Sequence, residues 1–149
     1  MRMEGLDYDG HKVGAVYRTL ARTVSETDIV NFVNLCGFVE PLFIDMEYVK
    51  RESIFTRRAA PGALTFAFSE GLIMQTGLIH GTGMAYLGGE LRIVAPVLEG
   101  DTIRVEVEVV DKRETKKIDR GIVTYRHRVL NQRDEVVLEA RVQRMIKRR

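Results

Sequence analysis

Between Gly62 and Leu78 the chain is apolar on nearly every side. Ala63, Leu64, Phe66, Ala67, Phe68, Leu72, Ile73, Met74 and Leu78 occupy positions that no single helical face can collect. A helix of this kind is stable only when other elements surround it. Its few polar residues, Ser69, Glu70 and Gln75, then need partners or a cavity, because an unpaired polar group in an apolar interior is costly. The rest of the chain must therefore supply a wall around this helix.

The wall is readable downstream. After Gly81-Thr82-Gly83 the apolar period changes from helical to alternating, and Met84 to Val97 reads as a strand. Leu98 to Asp101 reads as a turn. Thr102 to Val109 is the cleanest element, with Ile103, Val105, Val107 and Val109 on one face and polar residues on the other. Asp111 to Arg120 is a charged hairpin tip, and Gly121 to Leu130 is the next strand. Asn131-Gln132-Arg133-Asp134 is a turn, and Glu135 to Ile146 is the last strand. Strands that follow one buried helix without further helices point to an α+β fold, an antiparallel sheet packed on a central helix. No repeat or linker divides the 149 residues, so one domain spans 1–149.

Upstream, residues 1–14 are an irregular lead-in with turn signals at Asp9-Gly10 and Gly14, and 15–23 predicts a strand. Ser25-Glu26-Thr27-Asp28 has the form of a capping box. Ile29, Val30, Phe32, Val33, Leu35 and Cys36 then follow the spacing of an amphipathic helix. Gly37 ends it, since glycine enters the left-handed conformation cheaply. Pro41 fixes its own φ and biases Glu40 toward extended backbone, so 38–44 is expected to be a shaped loop. Asp45 is placed to cap a short helix through to about Glu52, and 53–61 is a polar connection.

Composition excludes more than it selects. The 23 basic and 21 acidic residues leave a net charge of +2, too small an excess to argue for nucleic acid. One cysteine, Cys36, permits no intrachain disulfide and lacks the partners of a zinc site, which fits a reducing compartment and a cytoplasmic location. The N-terminal residues have no apolar core of a secretory signal, and no run of about 18 apolar residues suggests a membrane span. No Gly-rich phosphate loop, metal cluster or Ser-His-Asp set stands out, and no metal or separate cofactor is expected.

Three stretches together resemble one family. Cys36-Gly37-Phe38-Val39-Glu40-Pro41-Leu42-Phe43-Ile44-Asp45 is similar to the loop that MaoC-like hydratases write as S-G-D-x-N-P-x-H-x-D. Arg58-Ala59-Ala60-Pro61-Gly62-Ala63-Leu64 resembles their R-(I/V)-A-(H/P)-G-x-L segment. Gly88-Gly89-Glu90-Leu91-Arg92-Ile93-Val94-Ala95-Pro96-Val97, continuing through Gly100-Asp101-Thr102-Ile103, resembles their G-x-x-x-R-F-x-x-P-V-x-x-G-D-T-I stretch. The resemblance covers roughly residues 12–147. It implies a hotdog fold, a curved antiparallel sheet around a long helix, usually dimeric. It also implies acyl thioesters of coenzyme A or acyl carrier protein as substrates, with coenzyme A entering only as part of the substrate.

In that family the loop Asp and His add water to, or remove it from, the double bond beside the thioester carbonyl by general acid–base catalysis. The glycine that opens the central helix resembles an oxyanion donor, a role suited to a helix N-terminus. Gly62 matches it, and Pro61 stands where the family has His or Pro. The family's Asp, however, falls on Phe38, its Asn on Glu40 and its His on Phe43. Phe38 and Phe43 read as apolar walls of the substrate pocket. Glu40 reads as a solvated loop acid or a relocated base. Glu70, eight residues after Gly62, reads as one half of an ion pair, with an arginine across a dimer interface as one option, or as a proton-transfer group with a raised pKa. His127 alternates with Val123, Tyr125 and Val129 and is expected to point inward, and the charged tip at Lys112 to Lys117 reads as a solvated hairpin end, with contact to coenzyme A phosphates as the alternative.

Three readings stay open at this point. One is an enoyl-thioester hydratase or 3-hydroxyacyl dehydratase that uses Glu40 or Glu70. Another is a non-catalytic acyl-thioester-binding subunit partnering a chain with the intact pair. The third is a hotdog thioesterase. Each implies a homodimer or higher oligomer, or a heteromer with an active MaoC-like subunit.

Overall fold

The computed structural model describes residues 4–149; the expectation of an irregular start for residues 1–3 lies outside them. Two short strands, β1 (Val16–Arg18) and β2 (Arg22–Thr23), precede three helices, α1 (Glu26–Cys36), α2 (Pro41–Ile44) and α3 (Met46–Glu52). The central helix α4 (Gly62–Gln75) follows. Then come four long strands, β3 (Gly83–Ile93), β4 (Thr102–Glu114), β5 (Arg120–Leu130) and β6 (Val136–Lys147). The sheet is antiparallel in the order β1-β4-β5-β6-β3, with β2 pairing the start of β4. No helix among the described residues is long and apolar enough to cross a membrane.

The alternation in β4 does what its pattern demands. Ile103, Val105, Val107 and Val109 are buried and their neighbours are not. They form one core with Val123, Tyr125 and Val129 of β5, Leu138 and Val142 of β6, and Leu64, Leu72 and Ile73 of α4. At about 25 cal/mol per Å² of apolar surface removed from water, this cluster is the main source of stability.

Four expectations are corrected. The strand over 15–23 is two pieces, because the Thr19 hydroxyl accepts from Val105 N and breaks the backbone ladder between them. Residues 41–44 are a single helical turn rather than loop; Pro41 at its first position supplies a helical φ and loses no bond there. The charged tip is confined to 115–119, because paired strand continues to Glu114 and resumes at Arg120. Finally, α4 stops at Gln75 and is not enclosed on all sides. Ala63, Ala67 and Met74 are exposed along one stripe, on the side where β3 has no further strand beside it.

Candidate functional site

The loop after α1 is built by local rules. Ser25 Oγ accepts from Asp28 N at 3.0 Å, and Asp28 returns a carboxylate oxygen to Ser25 N at 2.9 Å, so the capping box is complete. Gly37 takes φ 72°, ends α1 and turns the chain. Asp45 Oδ1 accepts from the amides of Glu47 and Tyr48, both at 3.0 Å, and so is occupied as the cap of α3. Between these fixed ends stand Phe38 and Phe43. Their ring centroids are 6.1 Å apart, and Phe32 lies 5.5 Å from Phe38, giving a continuous aromatic group. Arg58, almost wholly covered, donates Nη1 to the Phe43 carbonyl and pairs with Glu26 at 3.2 Å, which ties the turn to α1.

Phe43 forms one side of a cavity of about 320 Å³ at the head of α4. Leu42, Phe43, Phe55, Ile93, Val94 and Pro96 line it together with Pro61-Gly62. The Pro61 carbonyl accepts from the amides of Leu64 and Thr65, which leaves the first two amides of the helix, Gly62 and Ala63, without a helical acceptor. The position suits a small residue, since a Cβ on Gly62 would sit 3.0 Å from the Ile93 side chain. No residue lining the cavity carries an ionisable side chain. The arrangement can hold an apolar group and donate to an oxygen at the helix head.

Phe43, Pro61 and Gly62 thus come together on one cavity; Phe38, expected as a second wall, does not line it and packs edge-on against Phe43 instead. Glu40 and Glu70 do not join them. Glu40 caps α2 through its backbone only, and its exposed carboxylate has no partner among the described residues. Glu70 projects into the other end of the structure, about 12 Å along the helix from Gly62. There it accepts from Arg144 Nη2 of the same chain and lies 3.5 Å from His127 Nδ1. The arginine therefore comes from β6 and not from across an interface.

His127 is 1% exposed, as its alternation suggested, and burial first, then the Arg144 charge, push its pKa down to about 3. Beside it the Tyr125 hydroxyl is 2.7 Å from His11 Nε2, while His11 Nδ1 is 2.7 Å from the Asp7 carbonyl. A carbonyl only accepts, so Nδ1 carries the proton and Nε2 accepts from the tyrosine. Burial lowers the His11 pKa and raises that of Tyr125, which keeps both neutral. Sequence reading named Arg58 only as part of a family segment, without its contacts, and did not single out His11 or Arg144 as buried polar residues. The alternation of β6 puts Arg144 on the inward face with Val142 and Ile146, and that was the available signal. No group of three or more metal-ligating side chains occurs among the described residues.

The MaoC like domain family matches residues 10–131. The chain belongs to the MaoC-like family. An (R)-specific enoyl-CoA hydratase of Rhodospirillum rubrum is 32% identical over 108 residues, covering 72% of this chain and 70% of that protein. A solved structure described as a monoamine oxidase regulatory protein from Archaeoglobus superposes with a TM-score of 0.90 at 33% identity, over 98% of this chain and 97% of the other. A Mycobacterium tuberculosis protein described as having a double hotdog fold superposes with a TM-score of 0.87 at 21% identity, over all of this chain and 46% of the other. The fold of this MaoC-like chain is therefore the hotdog, with α4 as the helix that the sheet wraps.

Proposed function

We propose that this MaoC-like chain binds acyl thioesters of coenzyme A or acyl carrier protein as a subunit without an acid–base pair of its own. One observation carries the reading: the cavity at Gly62 keeps two free helix amides yet is lined without a single ionisable side chain. The free amides would receive the thioester oxygen. Phe43 would form part of the apolar wall where the family has its base, with Phe38, at the position of the family's acid, packed against it from behind. Glu70 is held by Arg144, and Glu40 does not line the cavity, so neither serves as the missing base. The proton-moving groups would then come from a partner chain, and a second copy of this chain would complete the assembly in the absence of one.

The hydratase reading has a specific support of its own, the 32% identity to the Rhodospirillum enzyme. One experiment separates the two. The purified protein is titrated with a saturated acyl-CoA by calorimetry and then mixed at high concentration with a trans-2-enoyl-CoA. The binding reading expects saturable heat and no loss of the conjugated absorbance. Loss of that absorbance, retained in Glu40→Gln and Glu70→Gln variants or abolished by either, would make the chain an enzyme and overturn the proposal. Release of free thiol would instead make it a thioesterase.

A further inference from the structure

The tip of the β4–β5 hairpin, residues 115–119, belongs neither to the Gly62 cavity nor to the edge strand β3. It is nonetheless a built turn. Thr115 Oγ1 accepts from Lys117 N at 3.1 Å and donates to the Lys117 carbonyl at 2.8 Å. Arg148 N donates to the Asp119 carbonyl at 2.8 Å, which fastens the turn to the end of the chain. The turn holds Ile118 outward, 86% exposed. The two carboxylates beside it are occupied, Glu114 by Arg148 and Asp119 by Arg120. Arg113, Lys116, Lys117 and Lys147 are exposed at the same end, and none has a carboxylate within ion-pair distance among the described residues. An apolar knob therefore stands fixed among cations that the chain itself does not neutralise.

We propose that this tip is the docking surface for an acidic acyl carrier protein, an inference that rests on the acyl-thioester reading above and chooses between its two carriers. Lysines alone would suit any anion, the phosphates of coenzyme A included. Ile118 narrows the choice, because an exposed isoleucine gains from burial only where the partner offers it an apolar recess. Coenzyme A offers none. A bilayer binds in proportion to the apolar area inserted, and one isoleucine supplies little. A folded carrier with an acidic face and an apolar recess meets both requirements, and the fastened turn loses little freedom when it docks. The position fits as well. The tip stands at the Gly83 end of the sheet, where Gly83 pairs with Ile146 and Lys147 with Arg120. A second copy paired two-fold along β3 brings its own Ile93 end, and with it its Gly62 cavity, to this end. Strand β5 is then three strand spacings, about 15 Å, from the second copy's β3. A carrier held at the tip of one copy thus stands beside the cavity of the other, where a flexible prosthetic arm delivers its acyl group.

The probes are butyryl-CoA, an acyl carrier protein in its butyryl form, and the same carrier without its prosthetic arm. Each is titrated by calorimetry into the wild type, Ile118→Ser and the double variant Lys116→Ser/Lys117→Ser, with folding of the variants checked by circular dichroism. Both forms of the carrier should bind the wild type and weaken with added salt. Each variant should lower their affinity about tenfold and leave that of butyryl-CoA within about twofold. A carrier that does not bind, or whose affinity is indifferent to Ile118→Ser, overturns the inference. So does a loss of butyryl-CoA affinity in the double variant with no change for the carrier, which would give the lysines to the phosphates of coenzyme A. Binding of phosphatidylglycerol vesicles by the wild type and not by Ile118→Ser, with neither carrier form bound, would make the tip a membrane contact instead. Failure of butyryl-CoA to bind overturns the acyl-thioester reading alone, and the carrier without its arm still decides this one.

Discussion

Glu70 and Arg144 show how a single pair can be both a cost and a constraint. A buried ion pair barely offsets its own desolvation, but removal of one member strands the other, at a cost of about 3–5 kcal/mol. Glu70→Gln and Arg144→Met are each expected to destabilise by about 3 kcal/mol in urea unfolding. The double variant should recover more than half of the summed loss, because no unpaired charge remains. His127 adds a pH dependence whose sign is fixed by its lowered pKa. Above an ordinary histidine pKa of about 6.5, both folded and unfolded states hold it neutral. Between there and about 3 the unfolded state takes a proton that the folded state refuses, so stability falls as pH falls. The slope from this residue cannot exceed about 1.4 kcal/mol per pH unit. Thermal unfolding followed from pH 7 downward should show a shallower decline in His127→Gln, with the remainder coming in part from His11, whose pKa is displaced the same way. Inward-facing His127 was legible from alternation. Its partners were not, because the meeting of β5, β6 and α4 depends on contacts between residues as far apart as Glu70 and Arg144.

At the scale of elements, two glycines are needed for different reasons, and substitution separates them. Gly37 has φ 72° and open space where a Cβ would go, so Gly37→Ala should cost only the left-handed conformation, about 1 kcal/mol. Gly89 has no such φ, but a Cβ there would lie 2.1 Å from the Arg141 carbonyl oxygen. Gly89→Ala must push β3 away from β6, and we expect a cost of about 2–4 kcal/mol. Amide exchange should accelerate across Gly83–Ile93 in Gly89→Ala and stay confined to the end of α1 in Gly37→Ala. The same contrast explains what could be read in advance. Helix α1, its capping box and its glycine stop are fixed by neighbours in sequence, whereas the turn that carries Phe43 is also held by Arg58 from 15 positions away. The break at residues 19–21 is set by a hydroxyl bonding to Val105, 86 positions away, which no local pattern records.

For the whole molecule, the unfinished part is the edge at β3. This strand runs 11 residues, pairs with β6 on one side and, among the described residues, has no strand on the other. Met84, Tyr86, Leu87, Leu91, Ile93 and Val94 are all exposed along it, next to the open stripe of α4 at Ala63, Ala67 and Met74. Soluble proteins cover or charge such edges, because an apolar strand with free backbone groups recruits another strand. A second copy is the simplest cover. Under two-fold symmetry β3 pairs antiparallel with itself, and the Ile93 end of one copy comes beside the Gly83 end of the other. The cavity at Gly62 borders Ile93, so this pairing would close its open side and couple assembly to binding. Leu91→Lys places a charge in the middle of the seam without touching the buried core. The wild type should run as a dimer in light scattering, and Leu91→Lys as a folded monomer by circular dichroism. Acyl-CoA affinity should fall with the loss of the dimer. A monomeric wild type would leave the exposed edge without the proposed cover. A monomeric variant that bound as tightly as the wild type would show instead that each Gly62 cavity is complete within one chain.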